Sequence, residues 1–433
     1  MTNAPYNFYL YPLLSPLMSQ ASQVIYNFHF FSFHLFSFFA VKVFFIGLAM
    51  MMMISTDLST WVVGFLVLLL WFHDAKRPSS SSSTVLAASD DQLEKYYIEW
   101  DDLTVNEYEI NGNGTRKRLE IRNQEKSPSR VIVVDKNGGG DSLTVQGAVD
   151  LVPRHNRLRH KIFILPGVYR EKVHVPKWKP YVSFIGMENR SSETVITWHD
   201  KASDKKANGS VEIGTFDSAS VTVDSDYFGA REVTFENSVV AVPGTNDMQA
   251  VALRLKGDKA WLYKVRILGT QDTLLDESGL HYYQECYIQG SVDFIFGNAK
   301  SYYQDCILHS VAPEYGAIAA NHRDYPDEDT GFSFVNCQVR GSGKVLLGRA
   351  WGNYSKVVYS SCDFDDIILP EGWSDWRNTG NDRKVEFGEF NCTGKGADRS
   401  KRVEWSYSLD FFQAWPYLTP LFIDGYQWLS LER

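Results

Sequence analysis

Two aspartates in this 433-residue chain have the type and spacing for acid–base work. Asp272 stands in "GTQDTLLDE" and Asp293 in the apolar run "GSVDFIFG", where a charge is costly to bury unless it is paired or used. Asp272 follows Val265 by seven residues and Asp293 follows Cys286 by seven, and Val265 and Cys286 hold the same place in two copies of a short recurring unit. If those copies stack on neighbouring rungs, their backbones lie about 4.8 Å apart and the two carboxyl groups open side by side. Acids that close cannot both ionise freely, so one is kept as an acid and the other as an anion. Gln249 precedes Gln271 by 22 residues, one rung earlier, and the two amides would line the same wall as donors to a developing oxyanion.

The elements that must position these groups are read from the repeat itself. "EVTFENS", "KVRILGT", "ECYIQGS", "DCILHSV", "NCQVRGS", "SCDFDDI" and "NCTGKGA" align on Val233, Val265, Cys286, Cys306, Cys337, Cys362 and Cys392, at intervals of 32, 21, 20, 31, 25 and 30 residues. A short strand closed by a turn residue and recurring at such intervals marks a solenoid whose single units cannot bury their own apolar face. Period-two apolar pairs and abundant β-branched and aromatic residues disfavour helical repeats. The pattern predicts an all-β parallel β-helix with short flanking helices. It opens at "RVIVVDKNGGGDSLTVQGAVDLV", Arg130 to Val152, with a β-rich run, a glycine turn and an amphipathic helix.

Several chemistries fit less well. All five cysteines fall on the anchor position, facing inward, which makes them buried core thiols rather than nucleophiles. "GGG" at Gly138 to Gly140 lacks the Gly-Lys-Ser/Thr of a phosphate cradle and reads as a turn. No Gly-X-Ser-X-Gly elbow is present, and no acidic oxygen cluster for calcium can be assembled. A retaining glycosidase also places two carboxylates about 5 Å apart. The amide wall suits an acyl oxyanion better than an oxocarbenium-like state, which develops positive charge. A binding protein without catalysis would have no need of paired acids.

Composition sets the outer bounds. With 44% hydrophobic and 14% aromatic residues the chain can bury a large core, and its net charge of −9 offers no basic stripe for nucleic acid. Residues 1–78 differ in kind: Phe28 to Ile54 is apolar with Lys42 as its only formal charge, and Trp61 to Phe72 is a second apolar block followed by Lys76 and Arg77. They are expected to be a signal or anchor region, with Met50 to Met53 offering an alternative start. Residues 79–128, beginning with "SSSSST", are expected to be a polar linker and lead-in, and 129–433 the folded domain. Sequons at Asn113, Asn189, Asn208, Asn353 and Asn391 all follow the leader and point to export and glycosylation.

"GVYREKV" (Gly167 to Val173), "QAVALR" (Gln249 to Arg254), "QDTL" (Gln271 to Leu274), "SVDFIFGNA" (Ser291 to Ala299) and "LGRAW" (Leu347 to Trp351) resemble, in order, the signature segments of plant pectin methylesterases. The match covers roughly residues 130–430 and is most similar to the quartet-like branch without an inhibitor pro-domain, since no cysteine precedes Cys286. The resemblance implies a right-handed β-helix that hydrolyses methyl esters of galacturonate in cell-wall pectin. Asp293 would be the nucleophile and Asp272 the acid and then the base. Gln249 and Gln271 would stabilise the oxyanion, and Arg349 would orient Asp293. Thr215, Trp351 and Trp373 would contact the sugar chain together with Gln249 and Arg349. It also implies no metal or other cofactor, a monomer, a secreted location in the wall, and a proteinaceous inhibitor as a further partner. Ala350 stands where the family commonly has proline, and "AIAANHR" (Ala317 to Arg323) replaces the more frequent Thr-Ala-Gln form.

Overall fold

The polar residue ahead of each anchor turns out to be a corner. Glu232, Lys264, Glu285, Asp305, Asn336, Ser361 and Asn391 all adopt left-handed backbone, with φ between 49° and 55°. That conformation costs a residue with a Cβ about 1–2 kcal/mol. Stacking offsets the cost, because the corner N–H groups continue the ladder from coil to coil: Lys264 to the Gln284 carbonyl at 3.0 Å, Glu285 to Gln304 at 2.9 Å, Asp305 to Val335 at 3.1 Å and Asn336 to Ser360 at 2.9 Å. Immediately after the corner, Val265, Cys286, Cys306, Cys337 and Cys362 turn inward and are buried.

The computed structural model describes residues 97–105, 108–110, 116–118, 130–206, 209, 211–242, 244–375 and 384–431. Before the corner runs an 11-stranded parallel sheet, from Arg130–Val134 and His160–Ile164 at one end to Glu386–Phe390 and Tyr407–Ser408 at the other. After the corner comes a 14-stranded sheet, in which two parallel runs are joined by the long strands Ile307–Asn321 and Gln338–Ala350. In earlier coils the same path is broken into two short strands: Arg266–Leu268 then Leu274–Asp276, and Tyr287–Gly290 then Ile295–Gly297. These stacked coils are the parallel β-helix that the repeat predicts.

In-register stacking puts like on like along the core. Tyr283, Tyr303, Phe334 and Tyr359 form a column with ring centroids 4.4, 4.6 and 4.5 Å apart. The cysteines are all free and form a second column, buried except for half-buried Cys392. Their Sγ–H groups donate to carbonyls, as Cys286 does to Leu262 at 3.4 Å. Buried Asp276 accepts from the Tyr283 hydroxyl at 2.9 Å and the Tyr303 hydroxyl at 2.6 Å, and contacts His281 Nδ1 at 2.5 Å. Burial alone would raise this carboxyl, but His281, Ser301 and Tyr303 hold it below the ordinary range.

One end of the stack is covered by the helix Val145–Leu151, whose N-terminal N–H groups at Val145 and Gln146 donate to the Glu171 carboxylate at 2.8 and 2.9 Å. The lead-in departs from the expected surface linker. Ile98–Glu99 pairs with Leu429–Ser430, and Ile98 and Leu103 are wholly buried in a cluster with Trp261, Phe422 and Trp428. Two apolar residues in a polar stretch are enough to dock it, because the coil faces supply the matching surface. The leader, Met50 to Met53, and the sequons at Asn113 and Asn208 lie outside the described residues. Asn189, Asn353 and Asn391 are exposed. Among the described residues no helix is long and apolar enough to cross a membrane, and no side-chain cluster could hold a metal ion.

Candidate active site

Asp272 and Asp293 occupy the two breaks in the strand path, each at a left-handed residue, with φ of 58° and 48°. Glycine makes the turns possible. A Cβ on Gly290 would lie 2.1 Å from the Phe294 Cβ, so the residue after Asp293 can fold back only over a bare backbone. Gly269 stands in the same relation to Thr273, one coil earlier. The turns then stack in phase: Gln271 bridges Val292 in parallel, Asp272 N–H donates to the Val292 carbonyl at 3.0 Å, and Leu274 N–H to Phe294 at 2.9 Å. Adjacent coils therefore bring the two carboxylates together at one place.

Their surroundings are unequal. Arg349 donates through Nε to Asp293 Oδ1 at 2.8 Å and through Nη2 to Oδ2, a fork matched to a carboxylate. Asp293 is 5% exposed. Burial pushes its carboxyl up, and the Arg349 hydrogen bonds and charge pull it back. Burial pushes Asp272 well above the ordinary range, the Asp293 charge pushes it further, and only the more remote pull of Arg349 opposes this. Asp293 is thus the more readily ionised of the pair and Asp272 the more readily protonated.

The amides stand beside them. Ala250 N–H donates to the Gln271 carbonyl at 3.1 Å, which sets Gln249 alongside Gln271. The Gln249 Oε1 is buried without a hydrogen-bond partner among the described residues, while the half-buried side chain reaches the surface. Leu275, Phe296 and Ala320 lie in register on successive strands. With Ala219 and Val251 they form an apolar cluster against which Trp351 packs. Thr215 begins the short turn Phe216–Ser218, which is tied to the Gln249 segment by Val251 N–H donating to Ser218 Oγ at 3.0 Å.

Trp373 departs from expectation. Its ring is 1% exposed, stacks on Phe387 at 4.6 Å and directs Nε1 to Glu389 Oε1 at 3.3 Å. It has no free face for a sugar, because the next coil covers it, and its part is to fill the core beneath Gly348 and Arg349, with which Trp373–Ser374 pairs. Sequence reasoning missed two groups near the site: half-exposed Phe216, which lies under the Arg254 guanidinium at 5.3 Å, and His322, stacked on Trp351 at 4.0 Å. The unusual "AANHR" was the only signal for the second.

Fold and site together define a parallel β-helix bearing paired, unequal acids on neighbouring coils. The family model described as Pectinesterase matches residues 131–425. The chain is 58% identical over 346 residues to Pectinesterase QRT1 of Arabidopsis thaliana, covering 78% of this chain and 91% of that one. It is 44% identical over 310 residues to Probable pectinesterase 8 of the same plant, covering 70% and 77%. Among solved structures, pectin methylesterase from carrot aligns with a TM-score of 0.62 at 32% identity, covering 71% of this chain and 96% of that one. The Aspergillus niger pectin methylesterase aligns at 0.60 and 26% identity, covering 70% and 98%. The chain belongs to the pectinesterase family and is a carboxylic ester hydrolase.

Proposed function

We propose that the Asp293 carboxylate attacks the methyl-ester carbonyl carbon of a galacturonate unit in pectin while Asp272 handles the proton. As the carbon–methoxy bond breaks, protonated Asp272 gives its proton to the leaving oxygen and methanol departs, leaving the sugar acyl group on Asp293. Asp272, now a carboxylate, takes a proton from water as the water adds to the acyl carbon. The bond to Asp293 breaks, and a free galacturonate carboxyl leaves. The side-chain amides of Gln249 and Gln271 donate to the oxyanion formed in both halves. The unpartnered Gln249 Oε1 supports this assignment, since it turns the amide nitrogen away from the interior.

The observation that carries the reading is the Arg349 fork on Asp293 beside an Asp272 whose carboxyl is pushed well above the ordinary range by burial and by its neighbour's charge. Trp351 and Thr215 are assigned to the sugar chain; the names of the relatives support action on pectin, and the apolar leader and the sequons support a secreted, glycosylated protein of the cell wall. Purified protein tests the reading directly. Methanol release from methylated pectin that Asp293→Ala abolishes is the expected result, with an acyl adduct on Asp293, found by mass spectrometry, that builds up in Asp272→Asn only from an activated ester whose leaving group needs no proton. Shortened polymer chains without methanol would overturn it in favour of glycosidic cleavage.

A further inference from the structure

We propose that His322 is a positioning residue that clamps the Trp351 indole for contact with the sugar chain; this rests on the assignment of Trp351 to substrate. Asn321 and Ala350 are Cα partners at the ends of the two long strands, so the residues that follow them, His322 and Trp351, leave neighbouring coils at the same level. Their rings stack with centroids 4.0 Å apart and planes 19° from parallel. Phe296 meets the same indole at 6.0 Å and 44°. Half-exposed Trp351 is therefore bounded by one flat ring and one tilted ring, and held in a single orientation.

The clamp has its own supports. His322 N–H donates to the Gly297 carbonyl at 2.8 Å, and its Nε2 contacts Asp324 Oδ2 at 3.1 Å. The loop that carries Asp324 is fixed by Glu328, whose Oε2 accepts from Asp324 N–H at 2.7 Å. Buried Arg323 donates to the carbonyls of Glu328 at 2.7 Å, Pro326 at 2.8 Å and Tyr354 at 3.2 Å, stitching the His322 loop to the Trp351 loop. Gly352 lets them close: a Cβ there would lie 2.2 Å from the Arg323 carbonyl oxygen. No step proposed for the ester uses an imidazole, and a ring so firmly based acts through the ring it touches.

The test compares His322→Ala, His322→Phe and Trp351→Ala by methanol release from highly methylated pectin at one pH. His322→Ala is expected to raise KM about three- to tenfold with kcat within about twofold, the mark of lost uniform binding. His322→Phe, which keeps a flat ring, is expected to restore KM to within about twofold of wild type. Asp324→Asn is expected to shift KM in the same direction by less. A wild-type KM in His322→Ala alongside a raised KM in Trp351→Ala overturns the proposal and leaves the Trp351 assignment standing. Equal losses in the Ala and Phe variants, or a fall in kcat at unchanged KM, also overturn it. A wild-type KM in Trp351→Ala removes the assignment, and the proposal with it.

Discussion

Arg349 reaches Asp293 across an intervening coil: Phe296 pairs with Ala320, Ala320 with Arg349, and from that second rung the guanidinium returns to both carboxylate oxygens. A lysine has one point charge and no planar fork, so it cannot hold both oxygens. Arg349→Lys is expected to lower kcat about 10- to 1000-fold. Weakening the pull on Asp293 also raises its pKa, so the acid limb of kcat/KM moves to higher pH. A pH–rate profile with an unmoved acid limb would contradict the role given to Arg349.

Asp272 links activity to stability. Its carboxyl is raised in the folded protein by burial and by Asp293, so the folded state binds this proton more tightly than the unfolded chain does. The stabilising contribution is complete below the unfolded pKa and is lost as pH rises through the folded one. Asp272→Asn is expected to abolish turnover and to melt higher than wild type above the folded pKa, with the two curves converging at low pH. Calorimetry across pH measures both, and a variant melting lower at every pH would refute the burial argument.

Gln249→Ala removes one of the two proposed oxyanion donors. The expected loss is about 100- to 1000-fold in kcat with little change in KM, because the donor matters once charge has developed. The buried Oε1 is left unpaired in the native protein, so the substitution is not expected to lower the melting temperature. Steady-state kinetics beside a thermal melt separates the two effects.

The two tryptophans are expected to behave oppositely. Trp373→Ala opens a cavity where the ring packs on Phe387 and Tyr359, costing about 3–5 kcal/mol in denaturant unfolding. Trp351→Ala is expected to leave unfolding nearly unchanged and to raise KM. A raised KM with full stability in Trp373→Ala would return that residue to the sugar site.

Native thiols should resist alkylation. Burial pushes the Cys306 and Cys362 thiols well up, and although burial also opposes ionisation of Cys337, hydrogen bonds from Cys306 and Cys362 bring its thiol down to about 5; with Cys286 all are buried, so access rather than acidity protects them. Half-buried Cys392 is expected to react first and the others only on unfolding, with no loss of activity; rapid inactivation by iodoacetamide would count against core thiols.

The anchor spacing made the coil legible, because a residue's place along a repeat fixes which way its side chain points; Asp272 and Asp293 could be paired from that phase alone. Spacing does not tell which neighbour covers an outward position. Trp373 looked available because the chain after it gives no hint that Phe387 stacks on its face. His322 was passed over for the converse reason: its partner lies on another coil, 29 residues on. The docking of Ile98 and Leu103 was hidden because the faces that receive them are built from distant segments.

The long strands Ile307–Asn321 and Gln338–Ala350 slip in register between Val311 and Tyr315, and the acid there, Glu314, is exposed, unlike buried Asp293. The candidate site therefore sits at a frontier between two styles of winding: broken turns furnish the carboxyls, and long strands furnish the rail from which an arginine leans back. A polymer laid across it would meet broken turns on one side and long strands on the other.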